Sequence, residues 1–129
     1  MSNKPLLYFK NHIEWRNSLH ENQEKHTVVE LVFYKVTSEF ESMRWEEAVK
    51  VAICYVWIDS TIRKLDDDRR KQTFTPRKDK SVWSKVNKNY IEDLIANNLM
   101  HESGLKKIEI AKQNGSWESK DEDDWLVVF

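Results

Sequence analysis

The spacing of apolar residues changes along the chain, and each change marks an element. Asn11 followed by Glu14 has the form of a capping box, and predicts a short helix ending near Asn22. Residues 27–36, Thr-Val-Val-Glu-Leu-Val-Phe-Tyr-Lys-Val, are β-branched and aromatic and predict a strand. The run is apolar on both faces in places, which suits a central strand. Over residues 43–56 the period lengthens. Trp45, Val49, Ala52, Ile53 and Val56 fall three or four apart, the stripe of a buried helix.

After Ile58 the period shortens again. Thr61–Leu65 and Arg69–Thr75 flank Asp66-Asp67-Asp68, which predicts a β-hairpin turning on the aspartates. Ile62 and Leu65 break strict alternation, so a bulge or an early strand end is expected there. Pro76 lacks a backbone donor and closes the second strand. Ser81 or Ser84 caps the next helix, whose core face is Val86, Tyr90, Ile91, Leu94 and Ile95, as far as about Asn97. A last helix runs from about His101 to Gln113, with Leu105, Ile108 and Ala111 inward and Gly115 in a C-terminal cap position. Trp125–Phe129 is a short apolar end that docks as a strand or frays. The expected fold is α+β: one small domain, with four main helices packed on a short antiparallel sheet that includes a hairpin near residues 61–75. Residues 1–117 form the domain, and residues 118–129 an acidic tail with a terminal apolar segment.

Composition fits this plan. A chain of 129 residues, 40% hydrophobic with 6 Trp, can bury a real core. Two Gly and 2 Pro argue against a long linker. The single cysteine, Cys54, rules out an intramolecular disulfide, so the fold does not depend on an oxidising compartment. No stretch reaches the ~20 apolar residues of a membrane span, and Met1–Lys10 lacks the apolar run of a signal peptide. A cytoplasmic protein is expected. The formal net charge is −1 but unevenly spread. Residues 62–88 hold ten Lys and Arg against four Asp, a net of +6. Residues 117–129 hold one Lys against five acids, a net of −4. The basic stretch suits an anionic partner; the acidic tail suits a place near a basic face.

Three pieces stand together in the middle of the chain: Trp57-Ile58-Asp59-Ser60, Phe74-Thr75-Pro76-Arg77-Lys78, and Ser81-Val82-Trp83-Ser84-Lys85-Val86-Asn87-Lys88. Leu99-Met100, Gly104-Leu105, Ala111-Lys112 and Gly115-Ser116-Trp117 follow. From about Tyr8 to Trp117 this order and spacing resemble the YdeI or OmpD-associated bacteriocin-protection family. The resemblance implies tolerance of bacteriocins or cationic antimicrobial peptides and no established catalytic mechanism. The family pattern usually has Gly before the Trp-Ile-Asp-Ser tetrapeptide, where this chain has Val56. The Arg-rich C-terminal helical extension usual in that family has no counterpart here.

The candidate site residues are Trp57, Asp59, Ser60, Arg77, Lys78, Ser81, Trp83, Ser84 and Asn87. Asp59 offers a carboxylate to a cationic ligand or to proton transfer, or caps nearby backbone N–H groups. Arg77 and Lys78 follow a stiffening proline and grip an anion, or pair with Asp59 or the aspartate turn. Trp57 and Trp83 floor a pocket or fill the core. Ser81, Ser84 and Asn87 share a helix edge and line a pocket or act as caps. Cys54 reads as a buried inert thiol. His12, His20, His26 and His101 have no metal-ligand spacing, so no metal is expected. No cofactor is expected either, since 2 Gly cannot form a phosphate loop. The first expectation is a non-catalytic protein binding a small molecule or peptide in a polar pocket at the helix–hairpin–helix junction. The alternatives are a polyanion or nucleic-acid module using residues 62–88, and an enzyme with Asp59 as general acid or base.

Overall fold

The structure, a computed structural model, describes residues 4–78 and 83–118. Its elements are β1 (Leu6–Tyr8), α1 (His12–Asn22), β2 (Val29–Tyr34), α2 (Trp45–Ile53), β3 (Trp57–Lys64), β4 (Arg69–Pro76), α3 (Lys85–Ala96) and α4 (Glu102–Gln113). They fall into two compact units. Of the described residues, the first holds 4–52 together with 57–76, and the second holds 53–56, 77–78 and 83–118.

In the first unit the strand order is β1-β2-β4-β3. The hairpin β3–β4 is antiparallel, with an irregularity between Asp59 and Ile62, and β2 pairs antiparallel with β4. Leu6–Tyr8, however, runs parallel to Glu30–Val32. The sheet is therefore mixed, which corrects the expected antiparallel sheet. The physical reason is the order strand–helix–strand: α1 supplies the crossover that a parallel pair needs. A strand of three residues shows too little alternation to be read from sequence.

Strand alternation sorts the side chains. Register places Val29, Leu31 and Phe33 of β2 beside Phe74, Gln72 and Arg70 of β4 on one face, with Asp59, Ile62 and Lys64 of β3 beyond them. Helices α1 and α2 cover part of this face. Trp15 of α1 meets Phe74 edge-on at 5.6 Å, and its indole N–H donates to the Ala48 carbonyl of α2 at 3.1 Å. Helix α1 starts as its cap predicts: the Asn11 side chain accepts from Glu14 N at 3.0 Å. Its Glu14 carboxylate takes the Lys10 N–H at 2.8 Å.

In the second unit, Ser84 caps α3 by accepting from Asn87 N at 3.1 Å. Ile91 and Leu94 are buried, but Val86 is 59% exposed and Ile95 is exposed too, so the core stripe is narrower than the apolar pattern. Ile108 and Ala111 of α4 are buried while Leu105 is exposed. The start of α4 lies against the segment 53–56. Cys54 O accepts from His101 N at 3.0 Å, the His101 ring stacks on Tyr55 at 4.6 Å, and Lys107 Nζ donates to Tyr55 O at 3.3 Å. A Cβ on Gly104 would sit 2.3 Å from Cys54 O, so this approach requires glycine. Val56 has φ 58. A β-branched residue in the left-handed region costs roughly 1–2 kcal/mol. Its side chain is completely buried, and its backbone is held by Ile53 O and Arg77 N at 2.9 and 3.0 Å.

Candidate ligand-binding groove

The predicted site residues divide between the units. Trp57, Asp59 and Ser60 belong to the first; Arg77, Lys78, Trp83, Ser84 and Asn87 belong to the second. Ser81 lies outside the described residues.

In the first unit, Trp57 is core. With Trp15, Leu19 and Val29 it lines a cavity of about 10 Å³. Half-buried Asp59 ties elements together: its Oδ2 accepts from Trp45 Nε1 at 3.3 Å and Gln72 Nε2 at 3.0 Å. That fixes the start of α2 to the hairpin. Ser60 is exposed on β3.

In the second unit, Arg77 is only 7% exposed. Its guanidinium lies 4.4 Å from the centre of the Trp83 ring and donates to Ser116 Oγ at 3.2 Å. Trp83 in turn meets Trp117 at 5.1 Å, and Lys112 and Lys88 lie 5.1 and 5.8 Å over Trp117. This is a closed set of cations on indole faces, each contact of the kind that contributes about 0.5–2 kcal/mol. Trp83 Nε1 is buried without a partner. Ser84 and Asn87 serve the helix cap, and Lys78 is exposed.

The concave surface of the first unit lies elsewhere. Where α2 begins, the end of the covered sheet face stays open as a groove of about 540 Å³. Phe33, Met43, Trp45 and Ile62 give it an apolar lining. Lys35, Arg44, Arg63, Lys64, Arg69 and Arg70 surround this lining, and Asp66 is the single carboxylate among the lining residues. Asp66 and Arg69 neutralise each other at 2.8 Å. The Arg69 side-chain hydrogen bond, then the Asp68 N–H, hold the Asp66 carboxyl below the usual carboxylate range, and Asp66 in turn raises Arg69. Lys64 meets Asp67 at 3.2 Å, a pair so exposed that it is worth little. Among the described residues, Lys35, Arg44, Arg63 and Arg70 make no ion pair.

Sequence reading located the basic stretch but missed this site. Phe33 falls in the predicted strand and Met43, Arg44 and Trp45 in the predicted helix, and no local signal joins them. Register does so in the structure: Arg70 stands opposite Phe33, and Lys64 opposite Arg70.

Among the described residues no cluster of His, Cys, Asp and Glu suits a metal ion, and no helix is long and apolar enough to cross a membrane. Neither the curated proteins nor the solved structures give a match to this chain. Residues 7–107 match the domain of unknown function DUF8412, and the chain belongs to that family.

Proposed function

We propose that this chain is a non-catalytic binding protein whose site is the basic groove of the first unit, and whose ligand is an anion with an apolar portion. One observation carries the reading: Lys35, Arg44, Arg63 and Arg70 surround an apolar lining without any ion pair of their own among the described residues. Folded proteins tend to pair or solvate such charges separately. Four unpaired cations around one concavity focus a positive field on it. Apolar walls lower the local dielectric and strengthen each contact with an entering anion.

The resemblance to the bacteriocin-protection family agrees with binding rather than catalysis, and a cytoplasmic setting accords with a single, buried cysteine, Cys54, that forms no intramolecular disulfide. Asp59 fits this reading as a positioning group, since its carboxylate ties Trp45 of α2 to Gln72 of β4.

The test is an NMR titration of the full chain with 1-naphthyl phosphate. Backbone signals of residues 33–36, 43–45 and 62–70 should shift, less so as salt rises. The double variant Arg44→Glu/Arg70→Glu should abolish the shifts while its spectrum stays folded. Shifts confined to the surroundings of Arg77 and Trp83, or no shifts at all, overturn the assignment.

A further inference from the structure

We infer that the natural occupant of the groove is an extended acidic peptide, paired along the free edge of β3 with alternate side chains entering the groove. This rests on the anion-binding reading above and narrows it to one class of partner.

Strand β3 is the last in the order β1-β2-β4-β3, so among the described residues one edge of it faces no other strand. Its residues Ser60–Lys64 are exposed. An unpaired edge offers a row of backbone donors and acceptors to an incoming strand. Beyond the irregularity at Asp59, residues Ile62, Arg63 and Lys64 pair regularly with Gln72, Lys71 and Arg70, so the strand is regular where it borders the groove. Alternation then assigns the side chains. Ile62 and Lys64 lie on the groove face with Arg70; Arg63 leaves the strand on the opposite face and still borders the groove.

An added strand therefore meets positive charge on both of its faces. Acidic residues on either side find Lys64 and Arg70 or Arg63, and an apolar one rests on Ile62, which is exposed. The same charges discourage pairing with another basic edge. They select for a partner of opposite sign.

A single-stranded nucleic acid would share the charge but needs free aromatic faces for its bases. Of the three aromatic rings lining the groove, Tyr34 packs against both Tyr8 at 5.2 Å and Phe40 at 5.0 Å, Phe33 is buried, and Trp45 alone is exposed, where successive bases need several rings.

The experiment titrates the full chain with an end-blocked eight-residue peptide alternating Asp and Val, read by calorimetry and amide NMR. The comparison probes are the Lys/Val peptide and an eight-residue oligothymidylate. Two further Asp/Val peptides are N-methylated at every second residue, one in each phase. The Asp/Val peptide should bind, protect amides within residues 60–64 from exchange, and lose at least about tenfold in affinity with Arg70→Glu. One N-methylated phase should bind and the other should not, because only one phase presents its N–H groups to β3.

Equal binding of both phases overturns strand pairing. Binding of the oligothymidylate but not of the Asp/Val peptide overturns the peptide class and leaves the anion-binding reading standing. If neither anion binds and 1-naphthyl phosphate also fails, both readings fall. Equal binding of the Lys/Val peptide removes the role of charge.

Discussion

Both units of this chain bring Arg and Lys next to Trp, but to different ends. In the second unit Arg77 lies over Trp83 and donates to Ser116, and Lys88 and Lys112 cover Trp117. The cations there are spent on protein groups, and Arg77 is almost wholly buried. In the first unit Arg44 and Arg70 line an open groove beside Trp45, whose indole N–H donates to Asp59. Residue types alone do not distinguish the two. What distinguishes them is whether the desolvation of each cation is already compensated within the chain. A buried guanidinium with its contacts made contributes to stability; an unpaired one on an apolar concavity is poised for an outside anion.

The sharpest break of this comparison is a pair of truncations. Arg77→Ala should cost about 2–4 kcal/mol of stability, since it removes a buried packed stem, a hydrogen bond and a ring contact together. Arg70→Ala should change stability by less than about 0.5 kcal/mol, as a surface substitution does, and yet weaken anion binding. Chemical denaturation of both variants checks this. Equal losses in the two would erase the distinction between closed and open cations.

A second variant asks whether the second unit is as closed elsewhere. Gly104→Ala places a methyl group 2.3 Å from the Cys54 carbonyl oxygen, which is backbone and cannot swing aside. The start of α4 must retreat, which strains the His101 N–H bond to the same oxygen. Overpacking of this kind costs about 1–3 kcal/mol. The anion affinity of the groove should not change. A stability loss accompanied by weaker binding would show that the groove depends on this packing.

Much of the local fold was legible. The aspartate turn and Pro76 bracket β4, the break at Ile62 marks an irregular strand, and Asn11 and Ser84 cap the helices expected of them. These signals lie within a few residues of what they specify. Val56 is instructive. It takes φ 58, a backbone glycine adopts freely, and the surrounding β-branched and aromatic residues give no local sign of it. Trp45 was read as part of the buried stripe, but it opens α2 and is 41% exposed. The parallel strand β1 and the groove escaped because each depends on pairing across long separations. Phe33 meets Arg70 only through the β2–β4 register. Arg77 left two uses open, an ion pair or a ligand, and its observed partners include Ser116, thirty-nine residues away. No local pattern encodes such a choice.

The smallest expected effect concerns a groove cation that is already paired across the groove's own lining. Arg69 is paired with Asp66, whose carboxyl is held low first by that Arg69 hydrogen bond and then by the Asp68 N–H. A carboxyl lowered in the folded state adds stability that is fully present above its unfolded value near 3.9. That contribution is lost as pH falls through the lower folded value. Asp66→Asn should therefore be slightly less stable than the parent at pH 7. The gap should close on acidification below pH of about 4 and not on moving to pH 9. The pair is solvent-exposed, so the stability change is small. Binding should move the other way. With Asp66 neutralised, Arg69 joins the open cations and the only carboxylate lining the groove is gone, so the Asp/Val peptide should bind a few-fold more tightly at pH 7. Unchanged affinity would mean that Arg69 lies outside the anion's reach, and that Lys35, Arg44, Arg63 and Arg70 suffice for the site.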